Sequence, residues 1–241
     1  MKKIAVMNQK GGVGKTLTTL CLAYNLASKN KKTLIVDADK QANSTVAIID
    51  DASVEEYEDY NLYNVLASKE KVEENTLELN EYLSLLQATP ELAKVQGTIH
   101  DLESAMNEIK EKFEYVIVDT GPQLDKLNIM AITAADLIVI PTSLDKFGLK
   151  AVKDAIGIIE SIRVDNMPNF VILPNLYDAR IRRKVEYFAK IKELYGDKVL
   201  KAVPLRASLA EITENEDDRL RKRDKPLQHY KNLTNFIIEN M

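Results

Sequence analysis

"NQKGGVGKTLTTL", residues Asn8 to Leu20, holds two lysines where a phosphate-binding loop needs one. The strict pattern is G-x-x-x-x-G-K-[ST]. Its backbone N–H groups cradle phosphates, its lysine meets the outer phosphates and its hydroxyl meets magnesium. Gly14, Lys15 and Thr16 match the second half, but Gln9 stands where the first glycine belongs. Gly11 and Gly12 supply instead the backbone freedom for close approach to an anion. Three of the eight glycines of the chain fall between residues 11 and 14, so composition alone does not explain the cluster.

The flanks complete the motif. Lys3–Met7 ("KIAVM") is a short apolar run of the kind a buried parallel strand shows. After the loop, Leu17, Leu20, Cys21, Tyr24 and Ala27 recur at helical spacing. Strand, glycine loop and helix thus follow in the order that aims a helix N-terminus at an anion. The candidate nucleotide-binding residues are Gly11, Gly12, Val13, Gly14, Lys15, Thr16 and Leu17, with Thr16 also on the metal.

A chain of 241 residues, 45% hydrophobic and 29% charged, is long enough for one α/β domain with a full core. No run of 18 apolar residues predicts a membrane span, and Met1-Lys2-Lys3 leaves no room for a signal peptide. Cys21, the single cysteine, excludes an internal disulfide or a cysteine-rich metal site and fits a cytoplasmic protein. A net charge of −4 gives no global hint of nucleic acid.

Apolar runs at Thr33–Asp37, Tyr82–Ala88, Tyr115–Asp119, Leu137–Pro141, Phe170–Pro174 and Val199–Pro204 predict further strands. Periodic stretches at Glu91–Glu111, Lys146–Ile162 and Ile181–Leu194 predict helices between them. The expected fold is therefore α/β, a doubly wound, mostly parallel sheet with helices on both faces, and residues 1–241 read as a single domain. Residues 50–60 carry six carboxylates and read as a solvated loop. In "VDADKQANST", Asp37 and Asp39 fall just past the second strand; in "VIVDTGP", Asp119 falls at a strand tip. Phosphoryl transfer needs positioned magnesium, neutralised oxygens and an oriented water. Asp119 is placed as the magnesium carboxylate, and Asp39 to orient the attacking water beside the metal.

"KGGVGKT", "DADKQANST", "YVIVDTGP", "AADLIVIPTSLDKFGL" and "VPLRASLAEI", in that order and spacing, resemble the ParA family of deviant Walker A P-loop ATPases that partition plasmids and chromosomes. The resemblance runs from about Lys3 to beyond Ile212 and is to the short form, without an N-terminal helix-turn-helix domain. It implies an enzyme that hydrolyses ATP with Mg2+ and forms a homodimer bridged by ATP. Lys10 takes the place of the signature lysine, which reaches into the partner subunit's ATP, so Lys10, Lys15 and Asp39 form the catalytic set. Asn175 and Pro204 lie where related proteins hold adenine. Nonspecific double-stranded DNA and a ParB-like centromere-binding protein are the implied partners, in a cytoplasmic, nucleoid-associated protein. Hydrolysis without a stimulating partner should be slow, as in other P-loop switches.

The candidate DNA-binding residues are Arg180, Arg182, Arg183, Lys184 and Arg206, with a further run at Arg219, Arg221, Lys222 and Arg223. Against them, Glu186 lies four residues from both Arg182 and Lys190, a spacing that makes ordinary surface ion pairs. A MinD-like protein cycling on membrane is the rival reading. The tail "LQHYKNLTNFIIENM" is poor in the basic residues such an anchor needs, so a docked final helix and no membrane partner are expected. A ParA-like engine positioning a cargo other than DNA is the other alternative. The chain departs from the family pattern at Leu17, where a second hydroxyl is common. It departs also at Lys40 and Gly121, where proline is usual, and at Ala42, where glycine is common.

Overall fold

The structure, a computed structural model, describes residues 1–49, 59–164, 166–205 and 227–241. Its strands are β1 (Lys2–Val6), β2 (Thr33–Ala38), β3 (Leu77–Asn80), β4 (Leu83–Leu86), β5 (Tyr115–Thr120), β6 (Leu137–Ser143) and β7 (Asn169–Asn175). They form one sheet in the order β3-β4-β2-β5-β1-β6-β7, parallel except for β3 against β4.

Why the strands read as unbroken apolar runs is visible in where alternate residues go. Ile4 and Val6 join one buried cluster while Ala5 joins the other; Ile35 and Ile117 side with the first, Leu34, Val36, Val116 and Val118 with the second. Both faces of the sheet are therefore covered. On the first face lie α1 (Lys15–Ala27) and α7 (Lys231–Asn240), whose Tyr230 flank, Leu233 and Ile237 are buried with Leu20, Cys21 and Leu22. The tail is thus a docked helix, as its composition predicts. On the second lie α3 (Asp101–Glu108), α4 (Lys126–Ala134) and α5 (Lys146–Ile162), with Ile191 of α6 (Arg182–Tyr195) packed beside them. The short α2 (Asn43–Ile48) follows β2. Among the described residues, seven strands between two helical layers make the doubly wound P-loop fold that the sequence implies.

Two local expectations need correction, and one strand is unanticipated. Val199–Pro204 is not a strand: only Val199 and Pro204 form isolated bridges, to Ile172 and Tyr177 of the same chain. β7 ends at Asn175 and Leu176 turns left-handed at φ 59°, so no regular ladder can continue beside it. Glu91–Glu111 is not one helix but a 3₁₀ turn at Pro90–Lys94 followed by α3. Gly97, at φ 137°, lies outside any helical conformation and separates them. The antiparallel edge strand β3, half-exposed and rich in polar residues, carries too weak a pattern to be read from sequence. Most of the acidic stretch, residues 50–58, lies outside the described residues.

Candidate functional site

The chain leaves β1 toward β2 on one side of it, while β6 lies on the other. That reversal opens a crevice at the carboxyl ends of β1, β2 and β5, the usual ligand position in such sheets. Strand register brings the acidic residues to it. Asp119 pairs in register with Val6 on one side and Asp37 on the other.

The loop from Asn8 to Gly14 is shaped by its glycines and by two asparagines. Gly12 and Gly14 adopt φ 69° and 87°, conformations that a side chain would strain, and Gly14 caps α1. Asn8 accepts the Lys10 N–H at 2.9 Å and donates to the Pro141 carbonyl at 2.8 Å, fixing the start of the loop to β6. Asn175 donates to the Val13 carbonyl at 2.8 Å from the end of β7. Its amide would lie 2.8 Å from a Cβ at residue 14, so glycine is required there on space as well as conformation. Leu17 is half-buried against the first-face core, its apolar side chain accommodated where a hydroxyl is common.

Lys15 is buried at the head of α1. Burial lowers its pKa, while Asp119 and Asp39 oppose that and mark the carboxylates it faces. Asp119 is fully buried, and burial raises its pKa against the pull of the Ser44 and Thr16 hydroxyls and Lys15. Its Oδ2 accepts from Ser44 at 2.6 Å; its Oδ1 has no hydrogen-bond partner. An orphaned carboxylate oxygen beside a threonine hydroxyl fits magnesium, which takes few protein ligands and completes its shell with water and phosphate. No three His, Cys, Asp or Glu side chains converge as a protein-only cage among the described residues. Asp39 is buried beside the crevice and accepts the Gln41 N–H at 3.0 Å.

Two departures from the family pattern turn out to be spatially linked. A Cβ at Gly121 would lie 3.0 Å from Oδ1 of Asp39, so a proline ring there would crowd the carboxylate. The Gly121 carbonyl accepts from the buried Asn128 at 3.0 Å. Lys40 reaches the same region, donating to Gln123 at 3.1 Å and pairing with Asp125 at 3.5 Å. The loop after β2 is thereby cross-linked to the loop after β5. Ala42 sits at φ 53°, the left-handed conformation for which glycine is the ordinary choice.

Lys10 is engaged within its own chain. Its Nζ donates to Ser143 Oγ at 2.7 Å and to both oxygens of Asp145 at 3.0 Å, with the ring of Phe147 5.8 Å away. Burial would raise the Asp145 carboxyl, but the Gly148 N–H, Lys10 and Ser143 outweigh it and hold it below the ordinary range. Asp145 is also the cap of α5, accepting from Gly148 at 2.7 Å. Sequence reasoning passed over Ser44, Thr45, Asn128, Ser143 and Asp145. The Asp145-x-x-Gly148 cap preceding a periodic run was a readable helix-start signal; the hydroxyls Ser44 and Thr45 had none beyond their place in "DADKQANST".

The other predicted residues scatter. Pro204 borders a cleft of about 370 Å³ lined by Tyr177, Phe188, Lys201, Gln228 and His229, rather than the phosphate loop, whereas Asn175 braces that loop and leaves its Oδ1 buried without a partner. Arg180 is paired bidentately with Asp178, whose carboxyl it pulls down to about 2, and Arg182 with Glu186 at 2.9 Å. Lys184 bends inward to the Leu176 carbonyl. Arg183 is exposed on α6 with no ion pair among the described residues. Arg206, like Arg219, Arg221, Lys222 and Arg223, lies outside the described residues.

A glycine-shaped loop, a buried lysine at a helix head and a strand-tip carboxylate with a free oxygen define a P-loop ATPase of the doubly wound class. The AAA domain family matches residues 1–172. The sporulation initiation inhibitor protein Soj of Bacillus subtilis is 32% identical over 215 residues, 84% of this chain and 83% of its own length. The chromosome-partitioning ATPase Soj of Thermus thermophilus is 30% identical, over 88% of this chain and 84% of its own. A plasmid partition protein of Borrelia burgdorferi, solved with AMPPNP, shares the fold at TM-score 0.86 and 21% identity, covering 100% of this chain and 99% of its own. The chain belongs to the ParA/Soj family of partition ATPases.

Proposed function

We propose that this ATPase binds ATP with Mg2+, pairs as a homodimer bridged by ATP, and in that state holds nonspecific double-stranded DNA. Slow hydrolysis, stimulated by a ParB-like centromere-binding partner, then releases it. We read residues 1–241 as one domain in a cytoplasmic, nucleoid-associated protein. The observation that carries the proposal is the division of labour between two lysines of one loop. Lys15 is buried against Asp119 and Asp39; Lys10 stands at the rim, with its ammonium satisfied by Ser143 and Asp145. A cation at the rim is available to a second copy, provided that it exchanges these partners for phosphate.

Within the site, the backbone N–H groups of residues 11–17 bind and orient the phosphates, and Lys15 neutralises their oxygens. Thr16, Asp119 and Asp39 would hold magnesium, which when bound supplies charge neutralisation at the phosphates. Asp39 orients the attacking water, and Asn175 and Pro204 approach the base. Arg180, Arg182, Arg183, Lys184 and Arg206 are the candidate contacts to DNA phosphate. The surface ion pairs of Arg180 and Arg182 are individually weak, so they can give way to phosphate. Four to six such contacts from a dimer give a log–log salt slope of roughly −4 to −5.

The test is binding to random-sequence duplex DNA and to anionic liposomes, with ADP or ATP, for the native protein and Lys10→Ala. DNA binding that needs ATP and disappears in Lys10→Ala is expected. Liposome binding would replace the proposal with a membrane-cycling one, and binding to neither would make the cargo something other than DNA.

A further inference from the structure

We infer that Thr45 is a positioning residue of the hydrolytic site, tying the loop that carries Asp39 to the strand ends beneath it. This rests on the proposed role of Asp39 and adds a residue to it. The Thr45 N–H and hydroxyl both donate to Oδ2 of Asp37 at 2.8 Å. The other oxygen of the same carboxylate, Oδ1, accepts the Asp39 N–H at 3.1 Å. Asp37 therefore grips both ends of the turn from residue 39 to residue 45. Between those ends Asp39 accepts Gln41 N–H at 3.0 Å, and its carbonyl accepts Ala42 N–H at 2.7 Å.

Thr45 also reaches sideways. Its Oγ1 accepts the Ala88 N–H at 3.0 Å, just past β4, the strand that pairs with β2. One hydroxyl can donate once and accept twice, so this single oxygen serves both partners. The neighbouring Ser44 donates to Asp119 at 2.6 Å. Two adjacent hydroxyls thus pin α2 to two carboxylates of adjacent strands, and Asp39 inherits its place from them. Everything in this cross-link is buried: Asp37 and Ser44 completely, Thr45 at 8% exposure. Water cannot readily substitute for a missing partner there.

Valine keeps the shape of threonine and removes the oxygen, leaving the Ala88 N–H unpaired and Asp37 with one donor fewer. Serine keeps the oxygen and removes the methyl. The experiment compares Thr45→Val and Thr45→Ser with the native full-length protein in steady-state ATPase assays, in binding of a fluorescent ATP analogue, and in amide hydrogen exchange of residues 37–45 without nucleotide. Misplacing a water-orienting group by about 1 Å costs on the order of 100-fold, so Thr45→Val should lose about 10- to 100-fold in kcat with KM within about threefold. Its amides at residues 39 and 45 should exchange faster, and Thr45→Ser should recover most of kcat and of the protection.

Native kcat and native exchange in Thr45→Val would overturn the inference. So would a serine variant as defective as valine, because the methyl would then be what matters. Should the valine variant fail to fold, Thr45→Ser alone decides: a tenfold loss of kcat with unchanged stability would refute the anchor. If the native protein showed no ATPase activity, the reading of Asp39 would fall. The exchange difference between native protein and variant would still test the anchor.

Discussion

The corner around Asp119 and the outer face of α6 are both rich in charge and handle it in opposite ways. In the corner, Asp37, Asp119 and Lys15 are buried, and burial shifts each pKa toward the uncharged form. Asp37 and Asp119 are each held by a named neighbour, except for a single oxygen of Asp119, and Lys15 faces Asp119 and Asp39. On α6, Arg182 is largely exposed and closes on its own helix neighbour Glu186, while Arg180 closes on Asp178. Charge is costly to bury unless a ligand compensates it, so the corner is built to await one. Charge on α6 is screened within about 8 Å at physiological salt and can exchange partners freely. The first region is suited to chemistry and the second to adjustable contact.

The sharpest way to break that contrast is to remove the buried cation. Lys15→Ala should abolish nucleotide-dependent activity, with a loss of about 10³-fold or more in kcat/KM, since preorganised cations at transferring phosphates carry effects of that order. Retention of activity in an ATPase assay would mean that Lys15 is a buried structural lysine. Asp39→Ala should still bind ATP while losing about 100-fold in kcat. A variant hydrolysing at the native rate would sink the assignment of the water.

How much of this was legible beforehand follows the same contrast. The loop, Asp119 and the alternation of strands were readable because a glycine cluster and apolar runs are local signals. The seat of Lys10 on Ser143 and Asp145 was not, because it joins residues separated by more than 130 positions. Thr45 was invisible for a related reason. Its importance lies in meeting Asp37 and Ala88, and a threonine at the start of a short helix carries no periodicity of its own. The resemblance places Asn175 near adenine; that its amide also holds the Val13 carbonyl is a contact only the fold could reveal. On α6 the sequence did better: the spacing of Arg182 and Glu186 announced their ion pair, which the structure contains.

Neutralising the corner separates stability from function. Burial raises the Asp119 carboxyl above its ordinary 3.8, so the folded protein holds that proton more tightly than the unfolded chain. The stability this contributes is present at low pH and is lost as pH climbs above 3.8 toward the raised value. Asp119→Asn removes the dependence, at the cost of one counter-charge for Lys15. Without nucleotide its Tm should exceed that of the native protein by about 2–4 °C near neutrality, equivalent to about 1 kcal/mol, and by less near pH 4. Hydrolysis should be lost. Calorimetry at both pH values checks this, and a lower Tm near neutrality would show that pairing with Lys15 outweighs the burial of charge.

On α6 the contrast sharpens between neighbours. Arg183 has no ion pair among the described residues and Arg182 is engaged, so Arg183→Ala should reduce the salt slope of DNA binding by about 1, and Arg182→Ala by less. ATP affinity should not change in either. Equal effects would mean that the Arg182–Glu186 pair opens without cost, and no effect from either would move the DNA contact elsewhere.

The smallest effect expected lies in the loop that joins the corner's two hydroxyls to Asp39. Ala42 holds φ 53° while its N–H donates to the Asp39 carbonyl at 2.7 Å and its own carbonyl accepts from Val46 at 2.9 Å. Both bonds depend on the left-handed turn, so the residue cannot relax without releasing α2. A left-handed conformation costs a non-glycine residue about 1–2 kcal/mol, and glycine avoids it while giving up about 0.5–1 kcal/mol in the unfolded chain. Ala42→Gly should therefore stabilise the protein by about 0.5 kcal/mol, a Tm rise of about 1–2 °C. If the anchors at Asp37 and Asp119 govern the loop, this relief should leave kcat within about twofold, far less than misplacing the loop would cost. A large change in kcat with so small a change in stability would instead make the strain at residue 42 part of how Asp39 is aimed.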